Sequence, residues 1–354
     1  MAQRSVLVTG YPGFIARRLV RKILATDDRA TITALVEAAQ LDAAEADRAR
    51  VDAGDRLRVV TGDVTAMDLG LSGDEVRQVV ATTTEIHHLA AVQRLGVDRG
   101  TAERVNVGGT RNVLALAGEM QHLERLVHFS SAFVSGLRTG VIREEDLEHD
   151  AGFHNAYEAT KYQAELLVRQ ASRRLPITVI RPSAVVGDSR TGEVDRLEGV
   201  YHFLIFIAAS PAAIPVPLPG DGSAPLNLVP VDYVVDAVQA IAAEPSTIGK
   251  TFHVVDPNPW SVRHVYALVA ERAGRRAPGL SVPQNLTKAL LRIPGLERLA
   301  PVGHQVVDYL NQLAFYTSPN VTEVLDGTGI RCPRFESYVD ALVAYAKRTE
   351  AQPR

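Results

Sequence analysis

Apolar residues along the first half of this chain follow two periods in turn. Short, nearly continuous apolar runs occupy residues 4–9, 31–36, 57–61, 85–90, 123–130 and 177–181. Runs of that length, rich in β-branched residues, predict buried strands. Between them apolar positions recur every three to four residues, most clearly over 17–25, 102–117 and 157–173, which predicts helices with one buried face. Strands apolar on both faces and alternating with helices predict a parallel sheet covered on both sides, an α/β doubly wound fold. Ligands of such a sheet sit outside the carboxyl ends of its strands. Candidate residues are therefore Asp63 and Val64 after the third strand, Leu89, Ala90 and Ala91 at the end of the fourth, Ser130 and Ser131 after the fifth, and Pro182, Ser183 and Val185 after the sixth.

The pattern changes near residue 190. An apolar run, Tyr201-His-Phe-Leu-Ile-Phe-Ile-Ala-Ala209, is followed by Pro211, Pro215, Pro217 and Pro219. It is too short to span a bilayer. It fits a buried core helix, the lining of an acyl groove, or a face pressed onto a membrane. Asp232 opens a further helix, 251–255 reads as a returning strand, and 261–347 is mainly helical. The expected division is a dinucleotide-binding domain over 1–190, with returning segments at about 226–256. A smaller, mostly helical substrate-binding lobe is expected from 191–225 and 257–350.

The first strand leads into Gly10-Tyr-Pro-Gly13-Phe-Ile-Ala16 and then a helix. Strand, glycine turn and helix form a phosphate-binding element of the doubly wound (Rossmann) type. Gly10 permits the tight turn, Gly13 lets the backbone approach a pyrophosphate, and Ala16 keeps the helix close to the strand. Phe14 and Ile15 belong to the same cofactor-facing turn. About 20 residues on, Leu35-Val36-Glu37 ends the second strand with an acid. A carboxylate there binds the ribose hydroxyls of NAD and repels the 2′-phosphate of NADP. NAD is therefore expected over NADP, with Arg17 as the base that could reach a phosphate instead.

Tyr157 and Lys161 are four residues apart, on one face of a helix. The chain has 10 Tyr but only 5 Lys, so this spacing arises by chance about 0.15 times. An ammonium beside a phenol favours the phenolate, so the spacing predicts a lowered pKa for Tyr157 and a usable proton donor or acceptor. Ser131 would hydrogen-bond a substrate carbonyl, and Lys161 would hold the nicotinamide ribose.

Thr9-Gly-Tyr-Pro-Gly-Phe-Ile-Ala16, Thr61-Gly-Asp63, His88-Leu-Ala-Ala91, Val105-Asn-Val-Gly-Gly-Thr110, Phe129-Ser-Ser131, Tyr157-x-x-x-Lys161 and Arg181-Pro182 follow one another in a familiar order. Over about residues 4–190 the chain resembles the extended short-chain dehydrogenase/reductase superfamily. The resemblance implies a catalytic triad of Ser131, Tyr157 and Lys161, Asp63 at the adenine, and Asn106 supporting the site. Ala16 departs from the usual last glycine. A narrower likeness comes from Arg181-Pro-Ser-Ala-Val-Val-Gly187-Asp-Ser-Arg-Thr-Gly192, Tyr309-Leu-Asn-Gln-Leu-Ala-Phe-Tyr316 and Leu325-Asp-Gly-Thr-Gly-Ile330. These are similar to fatty acyl-CoA reductases and to thioester-reductase domains. That likeness implies a hydrophobic acyl thioester, aldehyde or ketone as substrate. Those reductases often carry arginine where Glu37 stands and use NADPH, so Glu37 departs from them.

Composition narrows the field. A net charge of −3 gives no basic surface for nucleic acid or an anionic membrane. One cysteine, Cys332, excludes an intramolecular disulfide framework and suits a reducing cytoplasm, and Met1-Ala-Gln-Arg leads straight into the first strand without a signal peptide. A homodimer is compatible with all of this. His87 and His88 point to opposite faces of a strand, and His128 and His154 lack a visible partner at ligand spacing, so no metal is expected. His154 stands close enough before Tyr157 to touch a substrate. A nucleotide-sugar epimerase or dehydratase on the same scaffold, and a non-catalytic dinucleotide sensor, are the rival readings.

Overall fold

The computed structural model describes residues 4–93, 96–195, 204, 207, 218–276, 281–283, 285–287 and 304–350. Among these, seven strands form one parallel sheet: β1 Ser5–Thr9, β2 Thr31–Val36, β3 Leu57–Thr61, β4 Glu85–His88, β5 Arg125–Phe129, β6 Ile177–Pro182 and β7 Thr251–Val254. Their spatial order is β3-β2-β1-β4-β5-β6-β7. The winding reverses between β1 and β4, which opens a crevice at their carboxyl ends.

The two-sided burial read from the sequence is explicit in β1. Val6 and Val8 face a core shared with α1 Phe14–Thr26, α2 Leu41–Val51 and α7 Val231–Ala243. Leu7 faces the opposite core, with α3 Gly73–Thr82, α5 Gly109–Ala117 and α6 Ala156–Ala171. Side chains alternate across a strand, so only a strand apolar at every position serves two helical layers.

Several boundaries differ by a few residues from the sequence reading, and two have a clear physical cause. The fourth strand stops at His88, two residues early, because the next amides turn to the neighbouring strand: Leu89 N–H donates to the Thr9 carbonyl at 3.3 Å and Ala90 N–H to Thr9 Oγ1 at 3.1 Å. The helix expected over 102–117 begins earlier, with α4 Arg99–Ala102 capped by Asp98, and is interrupted by a π-turn at Glu103–Gly108 before α5. Such turns insert an extra residue and re-aim a side chain, here that of Asn106.

A third apolar cluster joins α8 Val262–Ala273 and α11 Phe335–Glu350 to Val186, Leu218, Leu226 and Leu310. α9 His304–Tyr309 contributes Tyr309 to it. α10 Pro319–Leu325 lies instead against α7 and β7, with Val321 and Leu325 in the first core. Parallel pairings of Ala184–Val186 with Leu228–Pro230, and of Gly140–Ile142 with Ala314–Tyr316, stitch the later segments to the sheet domain. The apolar run 201–209 and Pro211, Pro215 and Pro217 lie outside the described residues, except for Leu204 and Ile207, which are buried in the third cluster. No helix among the described residues is long and apolar enough to cross a membrane.

Candidate active site

The glycine turn is shaped by contact. Gly10 has φ +84°, and a Cβ there would lie 2.7 Å from the Ala90 nitrogen. The turn after β1 thus touches the end of β4, and only glycine fits. At Gly13 a Cβ would lie 2.7 Å from the Gly10 carbonyl oxygen, to which Gly13 N–H already donates at 2.8 Å. The second glycine is required by the turn itself, besides any ligand. Gly13 caps α1 without a side chain, which leaves the first amides of Phe14, Ile15 and Ala16 open for a phosphate. Ala16 is buried in the first core, as its expected packing role requires.

The other positions expected to face a dinucleotide lie around the same crevice. Asp63 is exposed after β3, its carboxylate accepting from Thr65 N–H at 2.8 Å. Val64 is buried against Gly109, where a Cβ would come within 2.9 Å of it. Leu89, Ala90 and Ala91 follow β4, and Val185 follows Pro182 at the end of β6. Ser183 is buried there with its hydroxyl lacking a hydrogen-bond partner. A glycine cradle at one end and an orphaned hydroxyl at the other fit an extended dinucleotide.

Glu37 is exposed at the end of β2, where it precedes a short turn without capping it. Arg17 does not stand free for a 2′-phosphate as the sequence allowed. Its guanidinium is ion-paired with Glu193 at 2.8 Å and with Asp195, and capture of a phosphate would break those pairs. NADH should therefore bind more tightly than NADPH in a fluorescence titration, and Glu37→Ala should narrow the difference. Tighter NADPH binding by the wild type would show that another base reads the phosphate.

Beneath the crevice runs a polar chain that sequence reading did not assemble. Thr9 Oγ1 accepts from Ala90 N–H and so gives its own proton to His88 Nδ1 at 2.8 Å. His88 Nε2–H then donates to Thr110 Oγ1 at 3.1 Å, and Thr110 donates to the Asn106 carbonyl at 2.7 Å. These directions follow from the donor inventory of the network. Burial, aided by the charge of Lys161, pushes the His88 pKa down to about 3 and keeps it neutral. Asn106 exchanges hydrogen bonds with the Val92 backbone and donates to Thr160 Oγ1 at 2.9 Å. The π-turn thereby ties the loop after β4 to the helix that carries Tyr157. His88 and Thr110 lay in motifs that the sequence displayed, but only folding shows that they meet.

Ser131 follows β5 and caps a short turn, its Oγ accepting from Phe133 N–H at 3.2 Å. Tyr157 and Lys161 lie on α6, whose N-cap Asn155 accepts from Glu158 N–H at 3.0 Å. The Ser131 hydroxyl lies close enough to the Tyr157 phenol to favour its ionised form. All three residues are thus at the carboxyl end of β5, with Lys161 buried.

The expected acidic phenol is not found. Burial pushes Tyr157 up to about 12; the Ser131 contact opposes this and Glu158 adds to it. Lys161 is turned away, donating to the Phe129 carbonyl, and burial brings it down to about 8 against the pull of Glu165. The four-residue spacing puts both groups on one face, as read, but a strand-end carbonyl competes for the ammonium and desolvation decides the phenol. A donor at about 12 stays protonated throughout the neutral range, while an alkoxide is a stronger base still. A phenol so held is available as a proton donor at neutral pH.

One turn beyond Lys161, Glu165 is fully buried and pairs bidentately with buried Arg181, at 2.6 Å and 3.0 Å. Ser130 also donates to Glu165. Burial would raise the Glu165 pKa, but Arg181 and Ser130 outweigh it and hold it below the usual range. The ends of β5 and β6 are locked to α6 through this carboxylate. The segment after β6 is set by packing: a Cβ at Gly187 would meet the Gly192 carbonyl oxygen at 2.3 Å, and one at Gly192 would meet that of Ala341 at 2.1 Å. Ser189 N–H donates to Asp232 Oδ1 at 2.9 Å, which fixes the loop to the start of α7.

The strand order and the glycine turn define a dinucleotide-binding, doubly wound fold. The chain belongs to the NAD-binding family described as male sterility protein, whose model matches residues 8–238. It is 27% identical over 281 residues to the fatty acyl-CoA reductase wat of Drosophila melanogaster, covering 68% of this chain and 54% of that protein. It is 25% identical over 375 residues to a linear gramicidin synthase polypeptide of Brevibacillus parabrevis, covering 98% of this chain and 7% of the synthase. The solved terminal R domain of the myxalamid PKS-NRPS pathway superposes with a TM-score of 0.82 at 25% identity, covering 99% of this chain and 92% of the domain. The chain thus spans about half the length of the fatty acyl-CoA reductase it matches.

Proposed function

We propose that this protein transfers hydride from a nicotinamide dinucleotide to the carbonyl of a hydrophobic acyl substrate, with a thioester as the leading candidate and an aldehyde or ketone as close relatives. The observation that carries the reading is the convergence of Ser131, Tyr157 and Lys161 at the carboxyl end of β5, with Lys161 on the Phe129 carbonyl and one turn beyond Tyr157 on the same helix. The cofactor, held by Gly10, Gly13 and the first amides of α1 with Glu37 at its ribose, supplies the hydride. Ser131 donates to the carbonyl oxygen and Tyr157 delivers the proton as charge develops there. Lys161 holds the nicotinamide ribose. In this reading 191–225 and 257–350 supply the substrate-binding lobe, a cytoplasmic location suits the single cysteine, and assembly as a homodimer is compatible with the site.

The similarity to a fatty acyl-CoA reductase and to a synthetase reductase domain supports a thioester over a nucleotide sugar. An epimerase on this scaffold would use the same three residues but needs basic side chains for a diphosphate. Residues 190–225 offer only Arg190, Arg196 and His202. An acyl groove gains about 0.8 kcal/mol per buried methylene, so affinity should climb roughly fourfold per carbon until the groove is full. Assays of acyl thioesters, aldehydes and ketones of increasing length, beside nucleotide sugars, test this. A flat response to chain length together with turnover of a nucleotide sugar would reject it.

A further inference from the structure

Glu158, the residue after Tyr157, is a buried carboxylate at 1% exposure. Its Oε2 accepts two hydrogen bonds from one residue: His154 N–H at 2.9 Å and the His154 ring at 3.1 Å. Its Oε1 is buried with no hydrogen-bond partner. Three phenols, Tyr157, Tyr309 and Tyr316, also feel its charge. A buried carboxylate with half its capacity unmet is costly, and helix geometry does not require it, because Asn155 already caps α6. Its one potential cation among these contacts is the imidazole of His154.

The carboxylate can only accept, so His154 Nδ1 carries the proton in that bond and Nε2 is left for another partner. The ring lies 5.2 Å from that of Tyr309, which itself packs edge-on to Phe133 at 5.0 Å, two residues beyond Ser131. Asn155 Nδ2 donates to the Tyr309 hydroxyl at 2.8 Å. His154 thus stands where the later part of the chain meets the catalytic helix.

We propose that His154, oriented by Glu158, is the acid that protonates the departing sulfur when an acyl thioester is reduced; this rests on the thioester reading above. In the first step hydride adds to the carbonyl carbon and the Tyr157 proton passes to the oxygen, giving a hemithioacetal and a Tyr157 phenolate. In the second, the phenolate takes back the hydroxyl proton as the C=O bond re-forms and the C–S bond breaks. The electron pair leaves on sulfur, which takes the Nε2 proton of His154 in its imidazolium form; the ring is left neutral with Nδ1–H on Glu158, and solvent reprotonates Nε2. The sum is thioester, reduced dinucleotide and one proton converted to aldehyde, thiol and oxidised dinucleotide. An alkyl thiolate is basic enough to gain from such an acid, whereas an aryl thiolate leaves readily without one.

The test compares alkyl and aryl thioesters of one acyl chain, with the matching aldehyde as a substrate that has no leaving group. In His154→Gln, kcat/KM for the alkyl thioester should fall at least ~30-fold relative to that for the aryl thioester, within the range set by loss of a general acid. Glu158→Gln should show a smaller shift in the same direction. Equal losses on all three substrates would overturn the proposal and make the pair structural. The wild type gives an arm independent of variant folding: thiol release should keep pace with cofactor oxidation for the alkyl thioester, and a lag of thiol behind cofactor would overturn it as well. Wild-type enzyme that reduces the aldehyde but neither thioester would instead remove the thioester reading itself.

Discussion

Tyr157→Phe should lower kcat by about 10²–10⁴, the range expected when a general acid is lost, with cofactor affinity little changed. Only one hydroxyl is removed; the ring that packs at the start of α6 remains, so the fold and the glycine cradle are left intact. The elevated Tyr157 pKa sharpens the expectation. A phenol held at about 12 is fully protonated across the neutral range, so reduction should not lose its proton donor as pH rises from about 6 to about 9. Stopped-flow measurement of hydride transfer, beside equilibrium binding of the dinucleotide, separates chemistry from affinity. Wild-type turnover by the variant, on a substrate that the native protein reduces, would remove Tyr157 from the mechanism.

Arg181→Met should destabilise the protein by about 3–5 kcal/mol, the usual consequence of removing one partner from a buried ion pair. Arg181 and Glu165 are both essentially inaccessible, and Arg181 also donates to the Asp146 carbonyl at 2.9 Å. The variant strands a carboxylate in the core, with Ser130 as its remaining donor beside the more distant Arg169. Urea unfolding should show a lower midpoint at unchanged slope. Adding Glu165→Leu should recover much of the loss, since two apolar groups replace the pair and the sites are in direct contact. A double variant as unstable as the single would show that the arginine acts through its backbone carbonyl contacts instead.

The strands were legible because a two-sided sheet demands apolar residues at every strand position, and β2 and β3 begin and end where the pattern placed them. The end of β4 was not, because it is set by Thr9 on the neighbouring strand. The π-turn that aims Asn106 left no periodic trace that a straight helix would not also leave. Tyr157, Lys161 and Ser131 could be picked out by spacing and strand-end position, since four residues along a helix is a local distance. Their protonation behaviour could not. It depends on desolvation and on which group the ammonium meets, and here that is the Phe129 carbonyl.

Arg17 shows the same division. Its place beside the glycine turn is local and was readable; its pairing with Glu193 and Asp195 joins residues more than 170 positions apart. Tyr309 stood in a motif of the C-terminal segment, yet only packing brings it onto Asn155 and His154. By itself the sequence determined the fold class and displayed the glycine turn and the candidate side chains for proton transfer, because short-range geometry and burial period specify them. Tertiary structure alone decided the charge state of Tyr157, the engagement of Arg17 and the partners of Glu158 and Glu165. Those are set by long-range contacts and by removal from water, which no stretch of chain encodes locally.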